Sequence, residues 1–462
     1  MSQISTAIID LRFDQSDRTP DGLLVNGFAN VSRVIDRVAE TGFTHVTFGV
    51  NAPVNVDTGL VDLYDDRPGA YNPNKSLPRD LWQLVDYAKS KGLGVYINPQ
   101  IVDHTNDYHI TGDTRFGAGV TVDQVFQSLS QYFGEVAARA QTHKVDGIYV
   151  GGLQHGLVTE AYRSQWQMLV DGVRANFSGQ LIHHYFYNGD SVVWDMVDVN
   201  SLWIHHILSR EPLIAVQDIH REYFGVDSDT PRAVVDVVRD HAQAHNKPVI
   251  LEHAPINASD RFIGESLTLG QFYETGELLP ELSTLNHARQ AARHAAFIQL
   301  VREDLASDVL GLSISEYAPW QMADWLVDPA KANQLWQAFV SQGSGIQHSP
   351  QAEKWISVAL NDGDIINVGV ENGVTRIRDL RRADAIQAQD EDLLDLTGLA
   401  QDLDLDLWWS GDRAPGRKVD ATGAVWERGN VIYVSTDRDN QAEWWARVVG
   451  VRDLDQDDFW LG

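Results

Sequence analysis

Eight short apolar runs, each followed by a polar loop or a stretch with helical spacing, limit this chain more than any other feature. They lie at residues 7–13, 45–51, 93–100, 146–152, 181–187, 199–206, 247–255 and 309–316. Several are continuously apolar rather than alternating, the pattern of parallel strands covered on both faces. Between them, residues 31–39, 79–91, 122–142, 160–176, 231–245 and 285–301 place apolar side chains at helical spacing. Strands that alternate with helices predict a parallel sheet. An open, doubly wound sheet is the alternative, but no glycine-rich nucleotide fingerprint follows the first run. The expected fold is therefore α/β, a (β/α)8 TIM barrel over residues 1–340, whose chemistry belongs at the C-terminal ends of the strands.

The seventh run is the clearest. Pro248-Val249-Ile250-Leu251 leads directly into Glu252 and His253, and the chain then breaks at Pro255. A carboxylate at the end of a buried strand is a candidate acid, base or nucleophile; pairing with a basic neighbour at the barrel rim is the bland alternative. The third strand exits through Asn98, Asp103 and His104, side chains able to grip sugar hydroxyls or a cation, although a turn rich in Asx residues would read the same way. The fourth exits through Gln154 and His155. Two histidine pairs, His183-His184 and His205-His206, occupy successive strands, and neighbours along a strand face opposite sides. At most one of each pair can enter the barrel. No HExxH motif is present, so polar lining or sugar contact is favoured over zinc. Tyr187, Trp203, His206, His253 and Trp320 lie near strand ends, where rings and imidazoles suit sugar stacking and hydrogen bonding.

Residues 145–157, 178–181, 193–198 and 248–252, with the late helix leading into residues 309–320, together resemble glycoside hydrolase family 113 and related retaining (β/α)8 glycosidases. The resemblance covers roughly residues 1–330. It implies a glycoside hydrolase acting on a polysaccharide or oligosaccharide, with Glu252 at the position of the nucleophile and no cofactor required. The family's second carboxylate, the acid/base, ends strand four, where this chain has Gln154. Glycoside hydrolysis needs two carboxyl groups, one to protonate the leaving oxygen and one to attack or stabilise the sugar. An amide has the shape of the acid without its proton. The acid then comes from Asp103, Glu316 or His155, or Gln154 is a substitution that traps substrate, or the barrel binds glycan without cleaving it.

Composition enters where partners are concerned. A formal charge of −29 over 462 residues, with no basic stripe, argues against nucleic acid and anionic membrane as partners. No cysteine is present, which removes disulfides, thiolate metal sites and cysteine nucleophiles. The first residues lack a basic segment followed by an apolar one, so no signal peptide is read there.

From residue 341 the character changes. A Gly/Ser/Gln-rich segment gives way to short β-like runs at residues 364–370 and 374–377, then to Asp–Leu alternation at 392–396 and 402–407. An acidic β-rich C-terminal domain over 341–462 is expected. Its tail, Val431 to Asn440 and then Leu454 to Leu461, resembles type I-secreted calcium-binding proteins of the repeats-in-toxin class, without their GGxGxD repeat. That resemblance implies an extracellular protein exported without an N-terminal signal, with calcium possible in this domain; a solvated acidic face is the simpler reading of any single Asp. An adhesin or matrix protein is a further alternative.

Overall fold

The computed structural model describes residues 3–11, 27–61, 80–103, 110–152, 154, 156–187, 189–204, 216–225, 232–253, 287–314, 350–361, 365–367, 386–388, 392–396, 399–400, 403–411, 414–415, 420–428, 430–438, 441–449, 454 and 456–461. The chain divides into two compact units, Met1–Glu353 and Lys354–Gly462. The division falls inside a helix, Pro350–Leu360, thirteen residues beyond the change of composition at 340/341 (353 − 340).

The first unit is the expected barrel. Its eight parallel strands are β1 (Ile4–Asp10), β2 (His45–Asn55), β4 (Gly94–Asp103), β5 (Gly147–Gly152), β6 (Gln180–Phe186), β7 (Val199–Ile204), β8 (Val249–His253) and β9 (Gly311–Ile314). They pair in chain order, and β1 pairs with both β2 and β9, so the sheet closes on itself. A two-residue strand, β3 (Leu60–Val61), folds back antiparallel on the end of β2. The closing seam is tight. Gly311 lies against Ile4, and a Cβ at Gly311 would come within 1.9 Å of the Ile4 carbonyl oxygen, so no larger residue fits without moving backbone.

Every residue of β8 is buried, which explains its unbroken apolar run: one set of side chains faces the lumen and the other the helices. The helices carry the complementary stripe. In Phe28–Thr41, Val31, Val34, Ile35 and Val38 are buried at one-turn spacing, and Gly42 ends the helix at φ 100°. The helix Val122–Thr142 has the bounds expected from its periodicity, because Thr121 and Gln124 form a reciprocal capping box. Burying each such Val, Ile or Leu is worth about 1.5–3 kcal/mol, so a charged residue at Leu251 would break the strand–helix layer.

The second unit contains two sheets. One has three parallel strands, β10 (Ile365–Asn367), β12 (Leu393–Asp395) and β17 (Phe459–Trp460). The other has the order β11 (Ile386–Gln387), β16 (Trp444–Val449), β15 (Val431–Val434), β14 (Ala424–Glu427), β13 (Trp408–Gly411), with antiparallel β14–β15–β16 at its centre. The unit is β-rich, as expected. The described part of the Asp–Leu alternation, residues 403–407, is not a strand, however. Leu403 is helical and Asp404 turns, and Asp404 at φ 55° breaks the extended backbone that alternation requires. Among the described residues no group of three or more His, Asp or Glu is arranged to hold a metal ion.

Candidate active site

Side chains paired across a parallel ladder point the same way, so the register sorts every strand residue into lumen or helix layer. Glu252 pairs with Trp203 and Ser313, Ser201 with His184, and Phe186 with Trp203. Glu252, Ser201, Trp203, His184 and Phe186 therefore share the lumen side. Their neighbours Ile204, His183 and His253 face outward.

Glu252 is 3% exposed and has two described donors on one oxygen. The His184 Nδ1–H donates to Oε2 at 2.8 Å, and the Ser201 hydroxyl donates to the same Oε2 at 3.2 Å. Two donors on one carboxylate oxygen fix the plane of the carboxyl group. Trp203 packs against His184 and Phe186, with ring centroids 5.6 and 5.4 Å apart, closing one side of the pair. Tyr149 is wholly buried near Glu252; burial and the Glu252 charge push its phenol well above the usual range. Its hydroxyl faces Ser201 and Thr47 without meeting hydrogen-bond geometry to either.

The outward layer has a different chemistry. His183 donates from Nδ1 to the Val150 carbonyl at 3.0 Å and accepts at Nε2 from the Ser191 hydroxyl at 2.9 Å. That is a neutral imidazole with both nitrogens used, and burial pushes its pKa down to about 3. His253 meets the Tyr223 hydroxyl through Nε2 at 3.2 Å and the edge of Phe297 at 4.7 Å between centroids. It was expected to touch substrate, but it sits between strand and helices, because it directly follows an inward residue on the same strand.

Of the other sequence candidates, Asn98 is buried on β4 and, by its register partner Gly49, lies on the lumen side. Asp103 ends β4 five residues later, which puts it on the opposite face from Asn98 by alternation. Tyr187 is buried, its backbone N–H donating to the Trp203 carbonyl at 3.1 Å. Gln154 is 1% exposed. Its Oε1 accepts from the Gly152 N–H, and it lies beside the position where a Gly151 side chain would meet the Trp166 ring. The amide oxygen thus ties back the strand end, at the layer where Trp166 and the outward His183 pack. Glu316, His104, His155, His206 and Trp320 lie outside the described residues.

The sequence alone marks neither Ser201 nor Tyr149 and does not decide which histidine of the 183–184 pair enters the barrel. The signal that resolves it is register: once β6, β7 and β8 are aligned, Glu252 selects His184 and rejects His183.

Comparison with known proteins bears on this cluster. Residues 70–256 match the model of Glycoside Hydrolase Family 113, a span that includes both Gln154 and Glu252. No curated protein matches the sequence. Among solved structures, a GH113 β-1,4-mannanase in a complex is similar with a TM-score of 0.51 at 17% identity, over 78% of this chain and 100% of its own. A second GH113 β-1,4-mannanase structure gives 0.52 at 17% identity, covering 78% and 99%. The GH113 β-mannanase of Alicyclobacillus acidocaldarius in complex with ManMIm gives 0.51 at 15% identity, covering 78% and 98%. At these identities the structures show the barrel fold, while the family match supports a glycoside hydrolase.

Proposed function

We propose that the barrel hydrolyses a glycosidic bond in an oligosaccharide or polysaccharide by a retaining mechanism with Glu252 as nucleophile. The observation that carries this reading is the buried, doubly hydrogen-bonded carboxylate at the end of β8, within the span the family model matches. His184 and Ser201 hold one oxygen and thereby aim the other at the reacting carbon. Attack at the anomeric carbon forms a glycosyl ester as the bond to the leaving oxygen breaks; water then cleaves the ester and releases the sugar. β-1,4-Linked mannooligosaccharides are the first substrates to try, because the similar structures are β-1,4-mannanases.

One observation favours a second reading. Gln154 carries no acidic proton, and its side-chain oxygen is committed to Gly152. A barrel with no acid at all would bind glycan without cleaving it. A nitrophenyl β-mannoside separates the two, since nitrophenolate leaves without protonation. A hydrolase releases nitrophenolate and acquires the mass of one glycosyl unit, and Glu252→Gln abolishes both. Unchanged hydrolysis in Glu252→Gln removes Glu252 as nucleophile, and mannooligosaccharide binding with no release from any nitrophenyl glycoside favours the binding barrel.

Extracellular residence and calcium binding belong to the same proposal. They are supported by the cysteine-free, acidic composition and by the tail from Val431. A melting temperature that rises in millimolar calcium and falls with chelator supports calcium; indifference to both leaves the aspartates as a solvated face.

A further inference from the structure

The five-stranded sheet of the second unit has two unlike faces. Val425, Ile432, Val434, Trp444, Ala446 and Val448 are all buried in one apolar cluster. Their alternate neighbours must therefore occupy the opposite face. Register arranges those neighbours in two rows across β14, β15 and β16. One row is Trp426, Tyr433 and Trp445; the other is Arg428, Val431 and Arg447. The Trp426 and Tyr433 rings are parallel to within 9° with centroids 5.7 Å apart. Trp426 is the buried end of its row, Tyr433 and Trp445 are half-buried, and both arginines are exposed. Neighbouring strands lie about 4.8 Å apart, so each row spans about 10 Å between its outer members.

We propose that this face is a non-catalytic binding site for an acidic, uronate-bearing polysaccharide. Aromatic rings offer flat apolar surfaces to the faces of sugar rings, and a guanidinium takes a carboxylate in a bidentate grip. Among the described residues neither Arg428 nor Arg447 has a carboxylate partner. In a chain with 65 acidic against 36 basic residues, two exposed arginines on one sheet face, one on either side of Val431 and without a carboxylate partner among the described residues, stand out as a place where an anion is accepted. A uronate polymer offers a flat sugar face to the half-buried Tyr433 and Trp445 rings and a carboxylate to a guanidinium, while Trp426 is packed beneath with Ala421 and Ala424. The proposal concerns binding alone and does not depend on Glu252.

The test uses the full-length protein and polygalacturonate in affinity electrophoresis and calorimetry. The protein should bind, and binding should weaken at least tenfold for Arg428→Gln/Arg447→Gln, for Trp445→Ala, and for the carboxyl-reduced polymer. Because both arginines are exposed, the double glutamine variant should keep the parent melting temperature even if Trp445→Ala does not. Absence of polygalacturonate binding overturns the proposal. So does equal binding by the folded double glutamine variant, or single-stranded DNA bound as tightly as the polysaccharide.

Discussion

The lumen and helix layers of the barrel use the same residue types for opposite ends. His184 and His183 are adjacent on β6, yet one donates to a buried carboxylate and the other satisfies a carbonyl and a hydroxyl behind the sheet. Glu252 and His253 repeat the contrast on β8, where the carboxylate faces Ser201 and the imidazole faces Tyr223. A histidine near a strand end therefore says little by itself. Its parity relative to a known lumen residue decides whether it serves chemistry or packing.

The contrast breaks most visibly in matched substitutions on β6. His184→Phe removes the donor that aims Glu252, and kcat should fall by about two orders of magnitude, a loss of roughly 2.7 kcal/mol in transition-state stabilisation. Denaturant melts should show a smaller loss of stability than for His183→Phe, because Ser201 still donates to the same Glu252 oxygen. His183→Phe should do the reverse: it strands the Ser191 hydroxyl and the Val150 carbonyl, costing about 2–4 kcal/mol, while turnover per folded molecule is kept. Equal effects of the two substitutions in both assays would erase the distinction between layers.

Acid sharpens the same comparison. His183 titrates near 3, lowered by burial, and His241 near 4, lowered by burial and by His245, with Asp195 opposing. His241 accepts at Nε2 from the Asn200 amide at 3.0 Å, which requires that nitrogen to be unprotonated. In the unfolded chain both imidazoles titrate near 6.5. As pH falls below that value the unfolded state takes up protons that the folded state refuses, so stability declines from about pH 6.5 towards 4 and 3. Each unit of depression is worth about 1.4 kcal/mol at most. Chemical denaturation at pH 7, 5.5 and 4.5 should show a falling midpoint, and the slope should shrink in His241→Asn.

A smaller effect is expected on the outer side of β8. His253→Phe loses the contact with the Tyr223 hydroxyl, worth about 1 kcal/mol, and should leave kcat/KM within twofold. A tenfold fall would mean that His253 reaches the lumen after all.

Much of the barrel was legible because its strands are continuously apolar and its helices carry clear stripes. Glu252 was legible because a lone carboxylate ending such a run is conspicuous. Its partners were not, because His184 and Ser201 lie 68 and 51 residues away in sequence, and only strand register joins them. The helix Pro350–Leu360 went unread behind a segment rich in Gly, Ser and Gln. Its signals were present in a proline at the first position and buried Ala352, Trp355, Ile356 and Ala359 at helical spacing. The Asp–Leu alternation at 402–407 misled in the other direction, since a period of two describes a strand only while the backbone stays extended, and Asp404 does not.

The seam at Gly311 has a consequence for how the protein is made. Ile4 pairs with Gly311, so roughly 300 residues must leave the ribosome before the first strand meets its second neighbour, about 15–60 s at ordinary synthesis rates. Throughout that interval β1 and the last completed strand present open hydrogen-bonding edges, the surfaces most prone to pair with another nascent chain. Expression yield should thus depend on holdase chaperones, and fragments ending before Ser313 should aggregate however well their individual helices and strands form.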